Sequence, residues 1–441
     1  DDLMDKRTHE IRDPIHVFVR LDSDERKILD TRSLQRLRHI HQLALSFLIY
    51  PGATHRRFEH SLGVMELAGR IFDRVTSPEA VTDEIRELIP EITRTKDHDY
   101  WRRVLRMAAL CHDIGHLPFS HAAEKELLPE SWDHERITGV LLNSPEMRKI
   151  FHDITPPLRE MDVLKLALGP NKAREQIFTI WETILSEIIT SDVFGADRMD
   201  YLLRDSYHAG VSYGRFDHIR LIDTMRILCP PPTDDQSSEP SLGVEDGGLR
   251  SAEALLLARY FMYSQLYLHP IRRIYDIHLR DFLKAWLPGG LFPISYEKHL
   301  SYTDNEVMAA ILSSALKKSA TAHEHARRIM MREHFRVLYE RNPDDVKTNP
   351  DAASAVSESA QEVFGKEAVR FARYPGKGTS YDFPVQQRDG RIASSLSVSE
   401  VLQRIPVPAF DCVFIEPTLH AKAMKWLAEN LERVIRPTKE E

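Results

Sequence analysis

At 441 residues with a formal charge of −8, 42% hydrophobic and 29% charged residues, the chain can bury a full core and reads as globular rather than fibrous or disordered. The acidic balance argues against nucleic-acid coating, which needs surplus Lys and Arg against phosphate, and three separated cysteines (Cys111, Cys229, Cys412) offer no CxxC pair for a zinc knot or redox motif. No apolar run approaches the roughly 20 residues that cross a bilayer, and the charged start Asp-Asp-Leu-Met-Asp-Lys has no signal core, so a cytoplasmic protein without membrane partners is expected.

Taken in chain order, Leu, Val, Ile and Ala recur every three or four positions over Ser33–Ala44 and Phe58–Val75, which predicts amphipathic helices. The same pattern predicts helices over Trp101–His112, Gln176–Thr190, Asp197–Ser206, Asp217–Leu228, Ser251–Leu268, Ile271–Leu287 and Asp304–Lys318. Between them, PPPTDDQSSEPSLGVEDGG predicts an exposed loop over about 229–250. From Glu333 the texture changes: Glu333–Glu340, Ser380–Gln386 and Phe410–Ile415 read as strands, Arg388-Asp389-Gly390 as a turn, and Thr418–Ile435 as a closing helix. The expectation is a mostly α chain, with a helical domain over 1–325 and a small C-terminal α+β module over 326–441.

The densest chemistry lies in AALCHDIGHLPFSHAAE, residues 108–124. His112 and Asp113 arrive where Gly115 and Pro118 break the preceding helix, so both side chains project from a helix end. One imidazole nitrogen and one carboxylate oxygen there suit a divalent cation, although an isolated His-Asp pair is more often a capping Asp beside a satisfied histidine. Two further residues change that balance. His60, in RRFEHSLGVMELAGR, shares a helix with inward-facing Val64 and Leu67. Asp197, in FGADRMDYLLRDSYHAG, shares a helix face with Tyr201 and either Arg204 or Asp205, and a buried carboxylate needs a partner such as a metal.

The strings DPIH, LDTRSLQRLRHIHQL, YPGATHRRFEHSLGV, HDIGHLPFSH, WDHE and DRMDYLLRDSYHAG, spread between Asp13 and Tyr275, resemble those of the HD-domain superfamily, in particular its deoxynucleoside triphosphate triphosphohydrolase group. The resemblance implies an HD helical bundle whose metal ligands are His60, His112, Asp113 and Asp197, with Mn, Fe, Mg, Ni or Zn as the divalent ion. It implies His121 as general acid with Glu124 beside it, and His116 and His134 on phosphate oxygens. Arg57 and Arg198 match cations on the phosphate chain, Arg198 standing where the group carries Lys, which exchanges a point charge for a planar fork. Gln42, Leu43, Tyr201 and Asp205 match residues around the deoxyribose. Asp30, Gln35 and Arg38 match a regulatory nucleotide site between subunits, which implies a nucleotide activator and a homo-oligomer. Two departures stand out. Val17 replaces a Gly after DPIH, and the segment Tyr267–Tyr275 lacks an early Arg that the group places on the triphosphate tail, leaving His269, Arg272 or Arg273 to substitute and Pro270 to alter the local helix.

The expected activity is therefore hydrolysis of dNTPs to deoxynucleoside and triphosphate, with a use in nucleotide-pool control or antiviral defence. The alternatives are an HD phosphatase, phosphodiesterase or nuclease on another phosphate ester, and a nucleotide-sensing assembly module with little turnover. The intact ligand set favours an enzyme.

Overall fold

The computed structural model describes residues 8–120, 124–230, 239–376 and 381–436. Its helices follow the apolar spacing. Helix α1 (Arg57–Val75) begins where the Glu59 carboxylate accepts the Arg56 amide at 2.6 Å and buries Leu62, Val64, Leu67, Ile71 and Phe72. It packs against α2 (Thr95–Cys111); α2 packs on α3 (Glu160–Leu168), α3 on α4 (Ile180–Thr190), and α4 returns to α1 and to α5 (Ala196–Ala209). The bundle closes around side chains such as Phe72 and Trp181, whose rings lie 5.9 Å apart. The chain is mostly α, with small sheets.

Two compact units divide the chain, and they interleave instead of meeting at the single cut expected after residue 325. The first holds 1–259, 293–304 and 379–405; the second holds 260–292, 305–378 and 406–441. Strand pairing explains the difference. Strands β3 (Met225–Leu228) and β4 (Ser241–Glu245) pair antiparallel, and β4 then pairs in parallel with β7 (Pro384–Gln386), which forms a hairpin with β8 (Ile392–Ser394). The hairpin turns at the expected Arg388-Asp389-Gly390, with Gly390 at φ 86°. Residues assigned by sequence to the C-terminal module thus complete a sheet of the first unit. The expected loop over 229–250 also carries β4, with Leu242 and Val244 buried, while 231–238 fall outside the described residues.

Other departures share this cause, long-range pairing. The helix expected over Asp217–Leu228 stops at Asp223, and Met225–Leu228 become a fully buried strand. The helix expected over Ser33–Ala44 breaks after Arg36, because the Arg57 amide donates to the Ile40 carbonyl and the Gln42 amide to the His55 carbonyl, at 2.9 and 3.0 Å. A hairpin of β1 (His9–Asp13) and β2 (Val17–Leu21) precedes it, with Val17 in the left-handed region at φ 67°. In the second unit, β9 (Phe410–Ile415) lies between β5 (Arg336–Glu340) and β6 (Val369–Tyr374), antiparallel to both. Its alternate residues face two cores: Val413 and Ile415 meet the helices Ala352–Phe364 and His420–Val434, while Cys412 and Phe414 meet Phe335 and the helix Pro270–Trp286. Pro270 opens that helix at its first turn, where proline is tolerated, after a π-helical turn over Tyr263–Tyr267. Among the described residues no helix is long and apolar enough to cross a membrane.

The β4–β7 contact allows no side chain at Gly243, where an added Cβ would lie 2.2 Å from the Pro384 carbonyl oxygen. Gly243→Ala is expected to force these strands apart and destabilise the protein by about 1–3 kcal/mol, the usual cost of overpacking. A thermal melt with the same midpoint as the parent would contradict this reading of the sheet.

Candidate metal and phosphate site

The expected metal donors come from three helix termini of the first unit. His60 is the fourth residue of α1, His112 caps α2, and Asp197 is the second residue of α5. His60 Nε2 lies 3.0 Å from Asp197 Oδ1 and 3.6 Å from Asp113 Oδ2; His112 Nε2 lies 3.6 Å from Asp197 Oδ1 and 3.4 Å from Asp113 Oδ1. Donor atoms of His60, His112 and Asp197 all fall within 4.8 Å of one another. A cation about 2.0–2.2 Å from each donor needs them roughly 3–4 Å apart, so this set fits a metal. His112 directs Nδ1 to the Ala109 carbonyl at 2.8 Å, which leaves Nε2 facing the cluster, buried and, among the described residues, without a hydrogen-bond partner. Such an atom is costly unless something coordinates it. The Asp197 side chain is 40% exposed while those of His60, His112 and Asp113 are 1%, 8% and 9% exposed, so solvent reaches the donors from the Asp197 side.

Asp113 is shared. Arg57 holds one of its oxygens, with the Arg57 Nε donating to Ser120 at 2.7 Å, and His116 Nε2 sits 3.1 Å from the other. Burial alone would raise the Asp113 carboxyl, but the neighbouring His112, Arg57 and His116 hold it well below the usual carboxylate range. For His116, burial and the charges of Arg57 and His134 press the pKa well below the usual imidazole value and keep the ring neutral. His134 behaves oppositely: burial lowers it, yet the Glu124 carboxylate beside it raises it overall. The two rings stack with centroids 4.0 Å apart, and Glu124 accepts from His134 Nδ1 at 2.7 Å. Gly115 permits this, since a Cβ there would lie 2.1 Å from the His134 carbonyl oxygen. Glu124 thus bonds His134; His121, beside which it was expected, lies outside the described residues.

On α5, Arg198 holds the carbonyl and the carboxylate of Asp192, the latter at 2.8 Å. A second guanidinium reaches the same carbonyl: Arg259 NH1 lies 3.5 Å from it. Sequence reading missed Arg259, having looked for a cation in Tyr267–Tyr275. Arg272 and Arg273 of that segment bond within the second unit, to the Tyr267 carbonyl and to Asp276. The available signal was the lone Arg in the apolar helix ALLLARYFM.

The expected sugar-facing residues are linked through His55. Its carbonyl accepts the Gln42 amide, and its Nε2 donates to Asp205 Oδ1 at 2.7 Å. Gln42 Oε1 is buried and has no hydrogen-bond partner among the described residues, Leu43 is buried, and Tyr201 lies half-buried one turn beyond Asp197. Of the expected regulatory residues, Arg38 donates to Gln35 Oε1 at 2.8 Å and lies over the Phe58 ring at 3.5 Å, while Asp30 pairs with Arg26.

Comparison with known proteins places this geometry. Residues 57–205 match the HD domain family and residues 216–369 match the HD associated region. An uncharacterized protein of Methanocaldococcus jannaschii is 35% identical over 61% of this chain and 48% of its own length. The deoxynucleoside triphosphate triphosphohydrolase SAMHD1 of Homo sapiens is 28% identical over 76% of this chain and 55% of its own. The chain thus spans about half the length of the curated relatives it matches. A crystal structure of a hypothetical protein from Aquifex aeolicus superposes with a TM-score of 0.77 at 30% identity, covering 96% of this chain and 100% of that one. Since the HD match begins at Arg57 and ends at Asp205, enclosing His60, His112, Asp113 and Asp197, the chain belongs to the HD-domain superfamily.

Proposed function

We propose that the chain is a metal-dependent phosphohydrolase that converts deoxynucleoside triphosphates to deoxynucleoside and triphosphate. The observation that carries the reading is the convergence of His60, His112 and Asp197 donor atoms beside Asp113, with His116, His134 and Arg57 immediately behind it. Similarity to SAMHD1, named as a triphosphohydrolase of deoxynucleoside triphosphates, supports the substrate class.

A divalent cation held by His60, His112, Asp113 and Asp197 would supply Lewis acidity toward a phosphoryl oxygen and water. The chain's own groups do the rest. Arg57 presents positive charge to a phosphate oxygen, His134, held through Nδ1 by Glu124, presents its other ring N–H, and His116 stacks beside it. Arg198 and Arg259 lie where a polyphosphate tail would run, each able to exchange the Asp192 carbonyl for an anionic oxygen. Water oxygen bonds to the α-phosphorus and gives up a proton to solvent, the bond from phosphorus to O5′ breaks, and O5′ takes a proton from His121. Gln42, Leu43, Tyr201 and Asp205 surround the sugar, and a sugar that could not satisfy the polar groups it buries there would be discriminated against. Nucleotide activation through Asp30, Gln35 and Arg38 within a homo-oligomer, in the cytoplasm, completes the reading; gel filtration with and without nucleotide checks it, and an unchanged elution volume and rate would remove it.

Incubating the manganese-loaded protein with each dNTP, singly and in pairs, is expected to release triphosphate. Orthophosphate, pyrophosphate or a nucleoside monophosphate as product would point instead to a phosphatase, phosphodiesterase or nuclease. Arg259→Ala is expected to lower kcat/KM about ten- to a hundredfold, mostly through KM, matching loss of one charge-assisted hydrogen bond of about 1.5–3 kcal/mol; unaltered kinetics would take Arg259 out of the tail site. Dialysis against a chelator is expected to abolish turnover and lower the melting temperature, with recovery of both on adding Mn²⁺; turnover that survives metal removal would refute metal dependence.

A further inference from the structure

Behind His60 lies a fully buried carboxylate that the proposed chemistry leaves without a task. Asp200, one turn past Asp197 on α5, accepts four hydrogen bonds: His60 Nδ1 at 2.8 Å, His16 Nε2 at 2.7 Å, and two nitrogens of Arg204 at 2.8 and 2.9 Å. Arg204 is itself fully buried and gives its remaining terminal nitrogen to Asp13 Oδ2 at 2.8 Å, while Asp13 Oδ1 accepts the amides of Ile15 and His16, each at 2.9 Å. The approach is close enough to require glycine one turn past His60: a Cβ on Gly63 would lie 1.9 Å from Asp200 Oδ1.

An ion pair serving stability alone would be complete with Arg204. Here one guanidinium faces two carboxylates, Asp13 and Asp200, so the surplus negative charge rests on the side of Asp200 that meets His60. His112 is held differently, its Nδ1 bonded to the neutral Ala109 carbonyl. A carboxylate accepts and cannot donate, so Asp200 requires a hydrogen of His60 on Nδ1 and leaves Nε2, which faces Asp197 and Asp113, as the nitrogen a cation would take. We propose that Asp200 is a positioning residue for the metal: it fixes the His60 tautomer and ring orientation, and His16 and Arg204, tied through Asp13 to the N-terminal hairpin, fix Asp200. The inference rests on the metal-dependent reading above and adds to it the group that makes His60 a competent ligand.

Asp200→Asn keeps the shape but places a donor or a weaker acceptor against His60, which frees the hydrogen to move to Nε2. Its affinity for Mn²⁺, read by competition with a metallochromic chelator, is expected to fall about ten- to a hundredfold, with the far-ultraviolet dichroism of the metal-free protein unchanged. Parental affinity in Asp200→Asn would overturn the proposal while leaving the metal reading intact; a parent chain that binds no Mn²⁺ would overturn both. Should Asp200→Asn not fold, ¹⁵N spectra of histidine-labelled parent loaded with Zn²⁺, with His60 assigned by comparison with His60→Gln, decide the matter: a protonated Nδ1 upholds the tautomer and an unprotonated Nδ1 refutes it.

Discussion

Charge balance in a water-poor interior is the constraint on which the helical body depends. Asp13, Asp113 and Asp200 are buried, and Asp197 stands at the mouth of the same cluster. An isolated carboxylate there would protonate rather than bear the desolvation. Arg57 faces Asp113, and Arg204 faces Asp13 and Asp200. Four carboxylates against two guanidiniums leave two negative charges, counted as −4 + 2 = −2, gathered around the imidazoles of His60 and His112. Burial pulls His60 down more than any other single influence, yet Asp197 and Asp200 together push it up to about 10. The cluster is thus built to hold positive charge, and one divalent cation between neutral imidazoles satisfies the same count.

Holding that charge at fixed points is a matter of helix ends. Asp197 lies in the first turn of α5, where the helix dipole favours an anion. His112 follows the last turn of α2, with Asp113 next to it in the turn that ends the helix. Each donor therefore sits on a backbone stiffened by packing among α1, α2 and α5, while only its terminal atoms enter the cluster. Such placement gives a site its precision, because rotation of any one helix would move one ligand and not the others.

Local features were legible in the sequence and pairings at a distance were not. The His112-Asp113 pair, the α1 stripe through His60 and the Asp197 face each express themselves within a few residues, and all three helices form, although α2 begins at Thr95 and not Trp101 and α5 runs on to Ala209. Met225–Leu228 carries apolar residues that suit a helix or a strand equally, and only pairing with β4 decides it. The division into interleaved units was not legible for the same reason, since β7 returns to β4 across more than a hundred residues. Arg259 escaped because its meaning depends on Asp192, which lies on a different element. Asp200 was passed over inside a motif already credited to Asp197, Tyr201 and Asp205, and its partners His16 and Asp13 are far away in the chain.

The contrast between the two ends of the site bears on how a phosphate chain would be accommodated. Around His60 and Asp113 the partners Asp200, Arg57 and His116 are buried, so little can be exchanged. Arg198 and Arg259 instead meet at the carbonyl of Asp192, an exposed residue outside any helix. A neutral carbonyl is the weaker acceptor, and a phosphate oxygen offered in its place makes shorter, charge-assisted bonds. Arg198 is suited to that exchange in a way that Lys is not, because its fork can keep one bond to the Asp192 carboxylate while turning another nitrogen to the phosphate. Under the proposed reading, rigidity therefore belongs to the end that holds the reacting phosphorus, and adaptability to the end that grips the tail.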